Sequence, residues 1–295
     1  MMGVVNLDKP VGPTSHDMVG LVRRLTGMRR IGHAGTLDPL ASGVLPILVG
    51  PATRFSEELT GGPKRYEAVI RLGWRSQTDD AEGPLERSDA PLPSVEAARE
   101  ALMSFVGTHD QRPPAFSARK VGGRTAHRAA RAGTALELPA RPVTINEIVL
   151  QGWAATDDAM ELQIDLRCGP GTYVRSLARD LGERLGCGGY LAALRRTEAA
   201  GLRAASALDP AALEALARDG RLTTALCPVS DLLPLPRLEL DEAAATRFCH
   251  GSTVQAAGRT APGRYAVLSA DRLLGIGRVG GGLLQPEKVV AEDAS

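Results

Sequence analysis

The stretch Gly32-His33-Ala34-Gly35-Thr36-Leu37-Asp38-Pro39-Leu40-Ala41-Ser42-Gly43 holds the residue types best suited to chemistry. Pro39 disfavours the α region for Asp38, which places the carboxylate on an extended or turn backbone rather than mid-helix. The flanking glycines allow another chain or a ligand to approach closely. A carboxylate on such a loop, next to a histidine, suits nucleophilic or acid–base catalysis. Asp before Pro is also ordinary turn chemistry. Taken alone, the loop leaves both readings open.

Three further segments bring aromatics and cations that could serve the same chemistry. Lys64-Arg65-Tyr66 places a basic pair and a tyrosine at a strand start, in a chain with four tyrosines. Gly171-Thr172-Tyr173-Val174-Arg175-Ser176-Leu177 opens a helix behind a Gly-Pro-Gly turn, and Leu194-Arg195-Arg196-Thr197 follows another glycine cluster. Aromatics interleaved with arginine suit unstacked bases and phosphates. Each also has a structural reading: Tyr66 and Tyr173 as core, Arg175 as a surface ion pair, Leu194 as packing.

The elements that must position these residues are partly legible. Residues 3–7 read as a short strand stopped by Pro10, Gly12 and Pro13. Ser15 then caps a helix carrying Met18, Val19, Val22 and Leu25 on one face. Arg23, Arg24, Arg29 and Arg30 gather at and beyond its end, either as a solvated helix terminus or as an anion-binding cluster. The apolar run Val44–Val49 is interrupted by Pro46. Tyr66–Leu72 and Met160–Arg167 alternate apolar and polar residues as half-buried strands. Ser94 opens a helix ending near Gly107, and Gly169-Pro170-Gly171 leads into a helix with Val174, Leu177, Ala178, Leu181 and Leu185 inward.

Residues 112–141 differ in character. They hold adjacent prolines, Gly122, Gly123 and a basic run through Arg119, Lys120, Arg124, Arg128 and Arg131, with little apolar periodicity. Such a segment reads as a protruding loop with a short helix, of a kind that is often functional. Pro228, Pro234 and Pro236 mark a linker, and short strands beyond it predict a small β-rich terminal domain. Strands and helices without regular βαβ alternation predict an α+β (mixed α/β) fold.

Composition bounds the rest. The chain has 295 residues, 43% hydrophobic and 23% charged, a globular balance. Basic and acidic residues number 35 and 34, which excludes a uniformly cationic coat for nucleic acid. Only four of the basic residues are lysine, from either planar recognition of phosphate or a GC-rich coding sequence. Residues 110–141 hold seven basic and two acidic side chains, so an anion-binding face is expected in the first two-thirds. Cys168, Cys187, Cys227 and Cys249 lack zinc or disulfide spacing and are expected to be buried free thiols in a reducing compartment. No signal peptide or apolar span is visible, so a cytoplasmic protein without membrane contact is expected.

Together these motifs resemble the bacterial TruB family of tRNA pseudouridine-55 synthases. The resemblance runs through Leu7-Asp8-Lys9-Pro10-Val11-Gly12, the 32–46 stretch, Lys64-Arg65-Tyr66, Pro114 to Gly133, Gly171 to Leu177 and Leu194 to Thr197, in the family's order over about 200 residues. It implies a pseudouridine synthase fold, with a large mixed sheet flanked by helices and a PUA-like C-terminal domain. The implied domains are 1–228, carrying an RNA-binding thumb at about 112–141, and 229–295. Asp38 would be the nucleophile, Arg175 its partner, and Tyr66 would lie against the flipped base as a candidate for handling the C5 proton. His33 would fill the space the nucleotide vacates, and Tyr173 and Leu194 would line the uracil pocket. Lys9, Arg119 and Lys120 would meet the RNA backbone. The partner implied is the T-loop of tRNA, acted on by a monomer with no obligatory protein partner, no cofactor and no metal.

The chain departs from the family pattern at Gln77, where an acid is usual, and at Phe116 and His127, where tyrosines are common. These touch loop closure and RNA affinity rather than the reaction. Two other readings are weighed against the synthase. One is a tRNA-binding or folding chaperone with incidental or lost catalysis, which intact Asp38, Arg175 and Tyr66 oppose. The other is a metal-dependent hydrolase built on Asp79, Asp80 and Glu82, which lack histidines at ligand spacing.

Overall fold

The computed structural model describes residues 1–116, 120–121, 124–125, 138–256 and 260–290. A ten-stranded mixed sheet dominates it. Its central strands are β1 (Gly3–Lys9), β2 (Ile31–His33), β3 (Ala41–Val49) and β4 (Lys64–Leu72). A small hairpin of β5 (Trp74–Ser76) and β6 (Leu85–Arg87) follows, then β7 (Gly107–Gln111). After the short pair β8 (Lys120–Val121) and β9 (Arg124–Thr125), the large sheet resumes with β10 (Arg141–Ala155), β11 (Met160–Cys168) and β12 (Gly189–Ala199). It is completed by β13 (Leu202–Arg203) and β14 (Leu226–Cys227). The main path runs β14-β1-β3-β12-β4-β11-β10-β7, with β2 beside β3 and β13 beside β12.

Alternation explains the two strands most legible in sequence. In β4 the residues Tyr66, Ala68, Ile70 and Leu72 are buried, and in β11 Met160, Leu162, Ile164 and Leu166 join the same core. Pro46, expected to interrupt its strand, lies inside β3 opposite Asn6. Its carbonyl accepts from Ala34 N–H, on the side of β3 between the pairings with β12 and β2. A strand residue's N–H and C=O point the same way, so the missing donor falls in that gap and costs no ladder bond.

Four helices support the site: α1 (Ser15–Thr26), α2 (Ser56–Thr60), α3 (Val95–Met103) and α4 (Val174–Arg184). Thr14, not Ser15, caps α1, and its hydroxyl and Asp17 form a capping box. Ser15 is buried, and its hydroxyl is used elsewhere, as shown below. The helix expected to run to Gly107 ends at Met103, and Gly107 instead begins β7.

Arg237–Glu239, Val254–Gln255, Gly263–Ser269, Arg272–Gly280 and Leu283–Val289 form a separate five-stranded sheet. Apolar residues of both sheets, among them Val44, Leu48, Leu268 and Ile276, share one buried cluster. Beside it Glu58 of α2 takes Arg264 at 3.0 Å and Lys288 at 2.9 Å. The four cysteines are free; Cys168 and Cys187 are buried as expected, while Cys227 and Cys249 are only partly so. Among the described residues no helix is long and apolar enough to cross a membrane.

Candidate active site

Four chain segments far apart in sequence meet at one end of β3. The Asp38 loop precedes β3, Lys64 and Tyr66 begin β4, Tyr173 and Arg175 open α4, and Leu194 sits on β12 where that strand runs parallel to β3. Leu194 pairs with Ala41 and Arg196 with Gly43. Only glycine fits at 43: its φ is 101°, and a Cβ would stand 2.2 Å from the Arg196 carbonyl oxygen.

The Asp38 loop is pinned from several sides. Ser15 Oγ accepts from Leu37 N–H at 2.8 Å and donates to Leu37 C=O at 2.9 Å. Ala41 N–H donates to Asp38 C=O at 3.0 Å, closing a turn around Pro39. Arg196, 1% exposed, donates from Nε to Val44 C=O at 2.7 Å and from Nη2 to Gly35 C=O at 3.0 Å. A buried guanidinium spent on loop carbonyls fixes the backbone that presents Asp38.

Lys9 differs from its expected role at the RNA backbone. It is fully buried, and its ammonium donates to Pro10 C=O at 2.8 Å and Pro13 C=O at 2.7 Å. Proline-rich turns leave carbonyls without local donors, and Lys9 satisfies them; burial lowers its pKa. It props the loop and is not available to phosphate.

Arg175 gathers the site's charges. Its Nε lies 3.0 Å from Asp38 Oδ2 and its Nη1 3.4 Å from Asp80 Oδ2. It also donates to Thr78 C=O at 3.2 Å and Phe116 C=O at 2.9 Å. The Arg175 side chain is 6% exposed and that of Asp38 39%, so the carboxylate is open to a substrate while its partner is fixed behind it. Asp80 is buried and also accepts from Glu82 N–H at 3.1 Å. Asp79 is held by Arg179 at 2.8 Å. Two of the three acids of the hydrolase reading, Asp79 and Asp80, are thus committed to arginines, and among the described residues no group of three or more His, Cys, Asp or Glu is placed to hold a metal.

A cavity of about 280 Å³ opens beside Asp38, walled by Tyr66, Tyr173, Arg175, Leu194 and Lys64. Burial raises the Tyr66 phenol above its usual 10, against the opposing charge of Arg196, so at neutral pH it carries its proton. Burial and Arg196 bring Lys64 down to about 8. Lys64 donates to Thr60 C=O at 2.6 Å and Gly62 C=O at 2.8 Å. Tyr173 is held by Gln111, which donates from Nε2 to its C=O at 3.1 Å and accepts from its N–H at 2.8 Å.

The structure therefore brings Asp38, Tyr66, Tyr173, Arg175 and Leu194 together around one cavity. His33 stands on β2, outside the cavity wall; burial and then Arg196 lower its pKa, leaving a neutral ring. The side chains of Arg119 and Lys120 lie outside the described residues. Sequence reasoning gave no role to Gln111, placed Asp80 only in the hydrolase reading, and named Arg196 only as one of a pair of cations. Nothing local in the sequence marks Gln111.

Comparison with known proteins gives the family. Residues 23–174 match the family model for the TruB family pseudouridylate synthase N-terminal domain. Residues 175–234 match the tRNA pseudouridylate synthase B C-terminal domain, and 236–290 the C-terminal model of pseudouridine synthase II TruB. The tRNA pseudouridine synthase B of Acaryochloris marina is 43% identical over 98% of this chain and 99% of its own length. That of Burkholderia pseudomallei is 44% identical over 99% and 98%. Among solved structures, a Cbf5-Nop10-Gar1 complex aligns at a TM-score of 0.73 and 25% identity over 98% of this chain and 84% of that one. An H/ACA RNP bound to substrate RNA aligns at 0.72 and 23%, over 99% and 86%, a likeness of fold. The chain belongs to the TruB family of pseudouridine synthases, enzymes that isomerise uridine within RNA.

Proposed function

We propose that this chain isomerises uridine-55 in the T-loop of tRNA to pseudouridine, with Asp38 as the nucleophile. The observation that carries the reading is the open Asp38 carboxylate paired to a buried Arg175 at a base-sized cavity. In this isomerisation the C1′–N1 bond breaks, the base turns, and a C1′–C5 bond forms. The C5 proton leaves and N1 takes one up, so no electrons or groups enter and no cofactor is needed. The target base must leave its stack, at a cost of roughly a few kcal/mol offset by contacts with Tyr66, Tyr173 and Leu194. Tyr66 in its protonated form suits proton delivery after an acceptor has taken the C5 proton.

The reading extends to a monomer in the cytoplasm with no obligatory protein partner, in contrast to the relative solved with Nop10 and Gar1. Its domains are 1–228 and 229–295, a division the Pro228–Pro236 linker supports. Asp38→Asn tests the central assignment. Tritium release from C5-labelled uridine in tRNA should vanish while tRNA binding stays nearly intact. Substantial turnover by this variant overturns the assignment. Accelerated tRNA annealing with no turnover by the unaltered chain favours the chaperone reading instead.

A further inference from the structure

The arginines at the far end of β3 have no part in the site described above. Between residues 18 and 56 the chain carries Arg23, Arg24, Arg29, Arg30 and Arg54 but only one acid, Asp38. Asp38 lies at the opposite end of β3, about 26 Å away at the usual strand rise of about 3.3 Å per residue. Arg24, Arg29, Arg30 and Arg54 are exposed and Arg23 half-buried. The segments that bear them are joined: Gly50 N–H donates to Arg30 C=O at 2.8 Å, and Arg30 Nε donates to Thr53 Oγ1 at 2.7 Å. Among the described residues, no carboxylate lies within ion-pair distance of any of the five.

The α1 dipole accounts for Arg23 and Arg24, which occupy the helix's last turn. It does not account for Arg29, Arg30 and Arg54, which lie beyond it. The turn Gly50–Phe55 and α2 lead from Arg54 back to Thr60 on the cavity wall, a path of roughly 10 Å at helical rise. The uncancelled charge is therefore confined to the distal end of β3, because α2 itself carries Glu57 and Glu58 and no base.

We propose that these arginines form a second phosphate-binding surface, which grips the part of the tRNA that does not enter the cavity. This rests on the tRNA reading above. Exposed guanidinium forks match phosphate geometry, and phosphate contacts set the register of an RNA without reading its sequence. Placed at the far end of β3 from Asp38, such a surface meets a whole tRNA but not an isolated T-arm hairpin.

The test replaces Arg23, Arg24, Arg29 and Arg54 by glutamine together, sparing Arg30, which bonds Thr53. Affinity is measured against salt for intact tRNA and for a T-arm hairpin. Each lost phosphate contact removes about 0.7–0.9 from the log–log slope, so the tRNA slope should flatten by up to roughly 3. The hairpin slope and kcat at saturating tRNA should stay unchanged. The matching set of lysine replacements should keep most of the tRNA slope, which guards against a folding effect. An unaltered tRNA slope in the glutamine variant, or equal loss for tRNA and hairpin, overturns the proposal. Failure of the unaltered enzyme to isomerise either RNA would instead sink the functional reading on which the proposal rests.

Discussion

The Gln111 side chain holds both polar backbone atoms of Tyr173, although the two residues are 62 positions apart. Tyr173 is the N-cap residue of α4 and makes no side-chain cap of its own, so an amide from β7 does that work. The next carbonyl along the chain, Arg112 C=O, accepts from Ser176 at 2.8 Å and from Arg179 at 2.8 Å. The root of the basic 112–141 segment is therefore bonded to the first turns of the helix that carries Arg175.

Replacing Gln111 by methionine removes both bonds and keeps the shape. At about 0.5–1.5 kcal/mol for each bond, kcat should fall by roughly tenfold. KM for tRNA should change little, because the RNA contacts remain. Gln111→Glu keeps an acceptor for Tyr173 N–H and should recover part of the loss. A matched fall in both kinetic constants would show that Gln111 merely supports the fold.

Arg175→Lys keeps a positive charge but loses the planar fork that reaches Asp38, Asp80 and two carbonyls at once. Turnover should drop by at least the roughly 100-fold expected when a group acting on the reacting charge is misplaced. Filter binding of tRNA should stay near that of the unaltered enzyme. Activity close to normal would show that the carboxylate needs charge nearby but not this geometry.

Lys9→Met should act on stability rather than on RNA affinity. The variant leaves the Pro10 and Pro13 carbonyls without their buried donor, a loss of about 2–4 kcal/mol. Denaturant unfolding should show that loss, while the salt slope of tRNA binding is unchanged. A reduced salt slope would return Lys9 to the RNA interface.

Lys64 makes a pH prediction with a definite sign. Its folded pKa, about 8, lies below the ordinary 10.5. Between these values the unfolded chain holds the proton more tightly, so stability rises with pH across this window. At pH 7 the full cost of burying the charge is present, about 3 kcal/mol. Tyr66 and Cys168, both raised, push the other way at higher pH. The clean measure is therefore the stability of the unaltered protein minus that of Lys64→Met, followed from pH 7 to pH 10. That difference should grow in favour of the unaltered protein, and a flat difference would show that the ammonium is solvated.

Sequence carried the residues that act through local pattern. Alternation alone places Tyr66 on the buried face of β4, and Pro39 alone sets Asp38 on a turn. What it did not carry are contacts made across long separations by side chains with no periodicity. Arg196 reaches Gly35 across 161 positions, and nothing in an Arg-Arg pair says which one turns inward. Lys9 misleads because lysine is rarely buried without partners. Here the partners are carbonyls freed by prolines, which no charge pattern reveals.

The parallel pairing of β12 with β3 sets a timetable for synthesis. Ala41 and Leu194 are partners about 150 residues apart, and Val4 waits longer still for Cys227. At the roughly 5–20 residues per second of translation, β3 leaves the ribosome about 8–30 s before the strand that completes the pocket. During that interval the apolar run of β3 has β1 and β2 as neighbours but an open edge where β12 will lie. Such an edge invites pairing with another nascent chain or capture by a chaperone. A ribosome-bound fragment ending before Leu194 would lack the Leu194 and Arg196 walls of the pocket, so the enzyme cannot act on RNA until about two-thirds of its chain has been made.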